Sequence, residues 1–158
     1  MIQAINLQLK IKPPVLHKKR KPHITLVYPF DIKNQKDLEK HILKSIKNIK
    51  PFKITLKKLK KSKKEYYLSL TINQGKPQIM KIYRNLNSGI LKNFKNPKIQ
   101  RYVPHMTLRK FKSKKEIDKA MKDIKSQNLE FSTKINSIQL LTLKKNDSIK
   151  SVKSFQLK

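Results

Sequence analysis

The sequence predicts an α+β chain folded as two similar lobes about a pseudo-twofold axis, with antiparallel strands flanked by helices. Three observations lead there. A strand, helix, hairpin order occurs twice. Each copy opens on the same pattern, Pro22-His23-Ile24-Thr25-Leu26 and Pro104-His105-Met106-Thr107-Leu108, at an offset of 82 residues. The apolar residues of both copies switch from a period of two to a helical period. At 158 residues the chain suits one domain, read here as two intimately packed lobes over 1–158 that share a single site.

Each element follows from its pattern. Ile5, Leu7, Leu9 and Ile11 alternate with Asn6, Gln8 and Lys10, a strand with one buried face that ends at Pro13-Pro14. After a basic loop from His17 to Lys21, His23 to Phe30 reads as a short strand stopped by Pro29. Asn34, with Asp37 three residues on, marks a helix start, and Leu38, Ile42, Ile46 and Ile49 share its apolar face until Pro51. Phe52, Ile54 and Leu56 form an alternating run, Lys57 to Lys64 a basic turn, and Tyr66 to Ile72 its return strand. A second helix is expected from Pro77 through Ile90 and Phe94, weakened by Gly89 and fading at Asn96-Pro97. The repeat then begins at Pro104, with Ser113 to Glu116 as a capping box and Ile117, Ala120, Met121 and Ile124 on the helix behind it. Phe131 leads into one strand running through Leu143, and Ile149 to Leu157 is its partner.

Composition narrows the chemistry. Lys and Arg number 40 against 9 acids, a formal charge of +31. Leu, Ile, Val and Phe still make up about 30% of the chain, above the disordered range of roughly 20%, so a core can form. The absence of Cys excludes disulfides, thiolate metal sites and thiol catalysis. The longest apolar stretch, Leu26 to Phe30, is far short of a membrane span, and no secretory signal pattern opens the chain, so a cytoplasmic protein without membrane contact is expected. So few acids beside so many lysines point to a polyanionic partner, RNA or nucleotides. Lys in place of Arg favours diffuse phosphate attraction over base reading. Two glycines, Gly75 and Gly89, make no phosphate-binding loop, and no carboxylate cluster suits a two-metal site.

The duplicated motif carries the chemistry. Residues i and i+2 of a strand share a face, so His23 projects with Thr25 and His105 with Thr107, while Ile24, Leu26, Met106 and Leu108 point into the core. Two imidazoles and two hydroxyls around one point fit a phosphate. One neutral imidazole takes a proton from the attacking oxygen, a protonated one gives a proton to the leaving oxygen, and the hydroxyls hold non-bridging oxygens. Arg109, at i+4 from His105, is expected on the same face as a phosphate or base contact. Its counterpart in the repeat is Val27, which suggests a directional substrate.

The paired motif, with His23-Ile24-Thr25-Leu26-Val27-Tyr28-Pro29-Phe30 and Tyr102-Val103-Pro104-His105-Met106-Thr107-Leu108, resembles the 2H phosphoesterase superfamily, in particular its 2',5' RNA ligase-like or RNA 2',3'-cyclic phosphodiesterase branch. The resemblance covers nearly the whole chain. It implies a bilobal fold with a central cleft, catalytic His23 and His105, phosphate-binding Thr25 and Thr107, and no metal or other cofactor. It also favours His105 as base and His23 as acid in hydrolysis. The high lysine content departs from the family's pattern.

The expected function is a phosphoesterase acting on RNA ends or small nucleotides, as a monomer. The alternatives are a phosphodiesterase that degrades oligonucleotide or cyclic-nucleotide signals, and a basic RNA-binding protein without catalysis. Tyr102, three residues before His105, is the aromatic expected to stack on a base. His41 is expected at the surface, His17 as a phosphate contact or a solvated loop residue, and Lys57 to Lys64 as a nucleic-acid contact or a solvated turn.

Overall fold

In the computed structural model, which describes residues 1–13, 21–62, 64–99 and 101–158, the elements run β1 (Ile2–Gln8), β2 (His23–Phe30), α1 (Gln35–Ile46), β3 (Phe52–Lys61), β4 (Tyr67–Gln74), α2 (Lys76–Leu86), β5 (His105–Lys110), α3 (Lys114–Lys125), β6 (Phe131–Ile135), β7 (Ser137–Leu143) and β8 (Ile149–Gln156). The helix starts lie where the caps place them. The Asn34 side chain accepts from the Asp37 N–H at 3.2 Å and Ser113 from the Glu116 N–H at 3.2 Å. Glu116 reaches back to the Lys112 N–H at 3.1 Å, one residue beyond the usual capping-box partner.

Several ends differ from expectation, each for a local reason. β1 begins at Ile2 and stops at Gln8; Leu9 instead donates its N–H to the Pro22 carbonyl, at 2.9 Å. α1 ends at Ile46 because Asn48 turns into the left-handed region at φ 64, a common helix terminator. α2 ends at Leu86, and Gly89, at φ 56, opens a separate 3-10 turn over Gly89–Phe94. Gly75 caps α2 at φ 87, so close to β3 that a Cβ would stand 2.6 Å from the Lys53 carbonyl oxygen. Pro29 does not stop β2. It sits in a bulge, between the pairs Ile5↔Val27 and Gln3↔Phe30, where its missing N–H costs no ladder bond. Most of the expected basic turn, Lys57 to Lys61, belongs to β3.

All strands pair antiparallel in one sheet, ordered β6-β3-β4-β5-β2-β1-β7-β8. The expected strand from Phe131 to Leu143 is two strands, broken at Asn136. β6 pairs with β3 at one edge, while β7 pairs with β1 in the other half. One intervening residue spans only a few ångströms, so the sheet must curl until these places approach. The hairpin after each motif strand also crosses over: β3–β4 lies beside β5, and β7–β8 beside β1. The two halves are therefore interleaved in sequence.

The helices cover one face. Leu38 and Ile42 of α1, Ile79, Ile82 and Leu86 of α2, and Ile117 of α3 share a single core with Ile24, Leu26, Met106 and Leu108, all fully buried. Burying one such side chain contributes about 1.5–3 kcal/mol, which fixes strand register against a slip. Among the described residues, no helix is long and apolar enough to cross a membrane.

Candidate active site

The two halves meet where β2 pairs with β5, at Ile24↔Met106. These are the middle residues of the two motifs, so the pseudo-twofold axis passes between them. His23, Thr25, His105 and Thr107 consequently surround that axis on the face opposite the helices. His23, Thr25 and His105 are half-buried and Thr107 is exposed.

Both imidazoles are held alike. His23 Nδ1 lies 2.9 Å from the Lys21 carbonyl oxygen, and His105 Nδ1 lies 2.9 Å from that of Val103. A carbonyl only accepts, so each Nδ1 carries the proton and donates it. In the neutral ring the lone pair then resides on Nε2, and in the charged ring the transferable proton is Nε2–H. The fold thus fixes both tautomers by the same backbone device, a feature that the His-x-Thr spacing did not reveal.

A second shared device changes which cation faces the histidines. Along β5 the pairs run Thr71↔His105, Leu70↔Met106, Ser69↔Thr107 and then Leu68↔Arg109, a bulge of one residue. Leu68 is buried on the helix face, so its partner Arg109 is turned to that face as well. Its guanidinium lies 5.3 Å from the Phe111 ring centre, beside a groove of about 440 Å³ whose other wall is Glu116, Lys119, Ala120 and Asp123 of α3. The expectation that Arg109 shares a face with His105 and Thr107 is overturned by this extra residue. By register Lys110 takes that place, paired with Tyr67 and 5.0 Å from its ring, while also bordering the groove beside Arg109. β2 has the same bulge, Asn6↔Thr25 followed by Ile5↔Val27. Val27, the counterpart of Arg109, is buried, and that was the readable signal.

Tyr102 also takes a different place from the one expected. It is only 7% exposed, its ring is stacked on Tyr83 at 3.7 Å, and its hydroxyl donates to the Thr25 carbonyl at 2.8 Å. Burial, with Tyr28 and Tyr83 nearby, raises its pKa, so the phenol remains a donor. It braces the first motif strand and has no open face for a base. His41 is half-buried, its Nε2 2.8 Å from the Leu86 carbonyl, and ties α1 to α2. His17 lies outside the described residues.

Cross-strand register fills in the rest of the histidine face. On the β1 side it carries Asn6, opposite Thr25, and Gln139, opposite Asn6. Gln139 accepts from the Gln8 N–H at 2.9 Å, while Asn6 Oδ1 is buried with no hydrogen-bond partner among the described residues. On the β4 side it carries Thr71 and Ser69, and beyond them Lys58 and Lys60 of β3. Among the described residues no three His, Asp or Glu side chains gather as a metal site would require.

A family model described as the 2'-5' RNA ligase superfamily matches residues 2–147. No curated protein matches. Among solved structures, Escherichia coli LigT in complex with 3'-AMP superposes with TM-score 0.61 at 13% identity, covering 99% of this chain and 94% of LigT. TT0787 of Thermus thermophilus gives 0.60 at 13%, covering 99% and 98%. Usb1 of Kluyveromyces marxianus gives 0.56 at 10%, covering 99% and 98%. These likenesses extend over the whole fold.

Proposed function

Because the chain belongs to the 2'-5' RNA ligase superfamily, we propose that it is a phosphoesterase that opens 2',3'-cyclic phosphates, or cleaves and joins 2',5' linkages, on RNA ends or small nucleotides. The observation that carries this reading is the pair of imidazoles, each anchored through Nδ1 to a carbonyl and related across Ile24↔Met106. In hydrolysis, water attacks phosphorus as the His105 Nε2 takes its proton. The bond to one ribose oxygen breaks and that oxygen receives the proton from His23 Nε2. Thr25 and Thr107 donate to the non-bridging oxygens as charge develops on them. Proton exchange with solvent restores both rings, and a ribose hydroxyl of a second end that attacks the cyclic phosphate in place of water, giving its proton to His105 while the leaving ribose oxygen takes one from His23, joins the two ends. Relatives seen with 3'-AMP and with uridine monophosphate support a nucleotide substrate. Both motifs lie on one chain, so a monomer is sufficient.

The test is turnover of a panel of 2',3'-cyclic and 2',5'-linked nucleotides in the presence of EDTA. Activity is expected to survive the chelator. It is also expected to fall on both sides of a pH optimum, because one imidazole must start neutral and the other protonated. A strict divalent-metal requirement, or a rate rising without limit toward high pH, overturns the mechanism.

A further inference from the structure

The charge of this chain is sorted by face, and the sorting points to where a polynucleotide lies. In β3, Lys61 pairs with Leu68 on the helix face and bonds Asp118 of α3 at 2.6 Å. Lys58 and Lys60 pair with Thr71 and Ser69 on the histidine face. Lys110 joins them on β5, and Lys53 stands directly opposite Lys134 of β6 on the same side, because Ile54 points into the core. Like charges directly opposite destabilise a ladder, and an anion laid across them relieves that. None of Lys53, Lys58, Lys60, Lys110 and Lys134 is in an ion pair among the described residues, and β3, β4, β5 and β6 contain no carboxylate. The inner strands of the other half, β1, β2 and β7, contain no Lys or Arg at all.

We infer that Lys58, Lys60 and Lys110 form a phosphate track for the RNA chain leading to the reacting end, so that the substrate enters over β3–β5 while the terminal nucleoside rests on the β1 half beside Asn6 and Gln139. This rests on the phosphoesterase reading for where the reacting phosphate sits. β3 is two strand spacings from β5, about 10 Å, a distance that long lysine side chains shorten from their side. A mononucleotide at the histidines therefore engages few of these cations, whereas a longer chain must cross them. The remaining polar groups fit the division. The Ser69 and Thr71 hydroxyls donate to the Lys60 and Lys58 carbonyls at 3.4 and 3.3 Å, whereas the β1 half presents the amides of Asn6 and Gln139.

The experiment compares two triple variants of equal charge, Lys58→Gln/Lys60→Gln/Lys110→Gln on the track and Lys36→Gln/Lys40→Gln/Lys81→Gln on the exposed sides of α1 and α2. Binding of a labelled single-stranded RNA of about ten nucleotides is measured by anisotropy across a salt series, with the reacting-end mononucleotide assayed in parallel. The track variant is expected to lose about 2 from the log–log salt slope, near 0.7 for each phosphate contact removed. Its oligonucleotide KM should rise at least several-fold more than its mononucleotide KM. The helix variant should retain the wild-type slope and turnover. Equal losses in both variants would mean that net charge alone recruits RNA, and an unchanged slope in the track variant would overturn the track outright. If no nucleotide is turned over by wild type, the catalytic reading fails while the binding comparison still decides the track.

Discussion

The two halves of the sheet share a backbone and differ in what that backbone presents. Each half has a motif strand, a histidine whose Nδ1 donates to the carbonyl two residues before it, and a one-residue bulge just after the motif. Each ties a helix to a strand by a lysine–carboxylate contact at 2.6 Å, Lys61–Asp118 in one half and Lys153–Glu39 in the other. Yet one histidine face beyond the motif bears lysines and hydroxyls, and the other bears amides. The features that orient the two imidazoles are those the halves share. The groups that differ are those that, under the proposed function, would meet the substrate away from phosphorus. That is the arrangement expected of a site that performs symmetric proton transfer on an asymmetric chain.

The sharpest way to break the comparison is to remove one histidine at a time. His23→Ala and His105→Ala are each expected to lower turnover by about 10²–10⁴-fold, the usual cost of losing a general acid or base, with Thr25→Ala and Thr107→Ala costing less. Steady-state kinetics on the best substrate checks this. Near wild-type turnover in either histidine variant would show that the halves are not equivalent and that the mechanism is wrong.

The bulge supplies the next test. Lys110→Ala is expected to raise the KM for an oligonucleotide by several-fold, about a kilocalorie per lost charged contact, whereas Arg109→Ala, one position earlier, should change it less. A larger effect at Arg109 would mean that strict alternation, and not the bulge, describes β5.

That pair of residues also shows what the sequence could and could not disclose. The motif faces were legible because Ile24, Leu26, Met106 and Leu108 had to be buried, and a period of two then fixed where His23, Thr25, His105 and Thr107 project. The helix caps were legible because Asn34 and Ser113 satisfy particular N–H groups. Alternation cannot count an inserted residue, so Arg109 was placed on the wrong face. The repeat held the remedy, since a buried Val27 at the equivalent position is intelligible only on the core side. Strand pairing was less accessible. The break at Asn136 and the crossing of both hairpins depend on long-range partners that no local pattern specifies, and the burial of Tyr102 depends on Tyr83 of α2 meeting it. Lys58 and Lys60 were hidden in an expected turn because their backbone's continuation as strand is set by Ser69 and Thr71 opposite.

A smaller effect concerns how the first motif strand is braced. Tyr102→Phe removes the hydroxyl that donates to the Thr25 carbonyl and keeps the ring stacked on Tyr83. The loss is expected to be about 1 kcal/mol of unfolding free energy, measured by urea denaturation. Since burial raises the phenol's pKa, the loss should be the same at neutral and mildly alkaline pH. A loss that vanished between those pH values would mean that the phenol ionises and the brace is not as described. The second motif offers a contrast, because no tyrosine hydroxyl bonds the Thr107 carbonyl among the described residues.

The smallest expected effect distinguishes the lysines by face. Asp118 is held below the usual carboxylate pKa, first by its hydrogen bond from Lys61 and then by the charges of Lys61 and Lys114. A depressed folded pKa means that the carboxylate stabilises the fold above its ordinary titration range and ceases to do so as pH falls through the lowered value. Asp118→Asn should therefore lower the melting temperature slightly at neutral pH, and the two proteins should converge in acid. Both partners are well exposed, so the shift is small and should shrink further with salt. Lys61 differs from Lys58 and Lys60 only in the face its position dictates, and with it in having an acid to meet. A melt that is unchanged at neutral pH and low salt would remove the helix-face role assigned to Lys61, and would leave all of the β3 lysines to be explained by the polyanion alone.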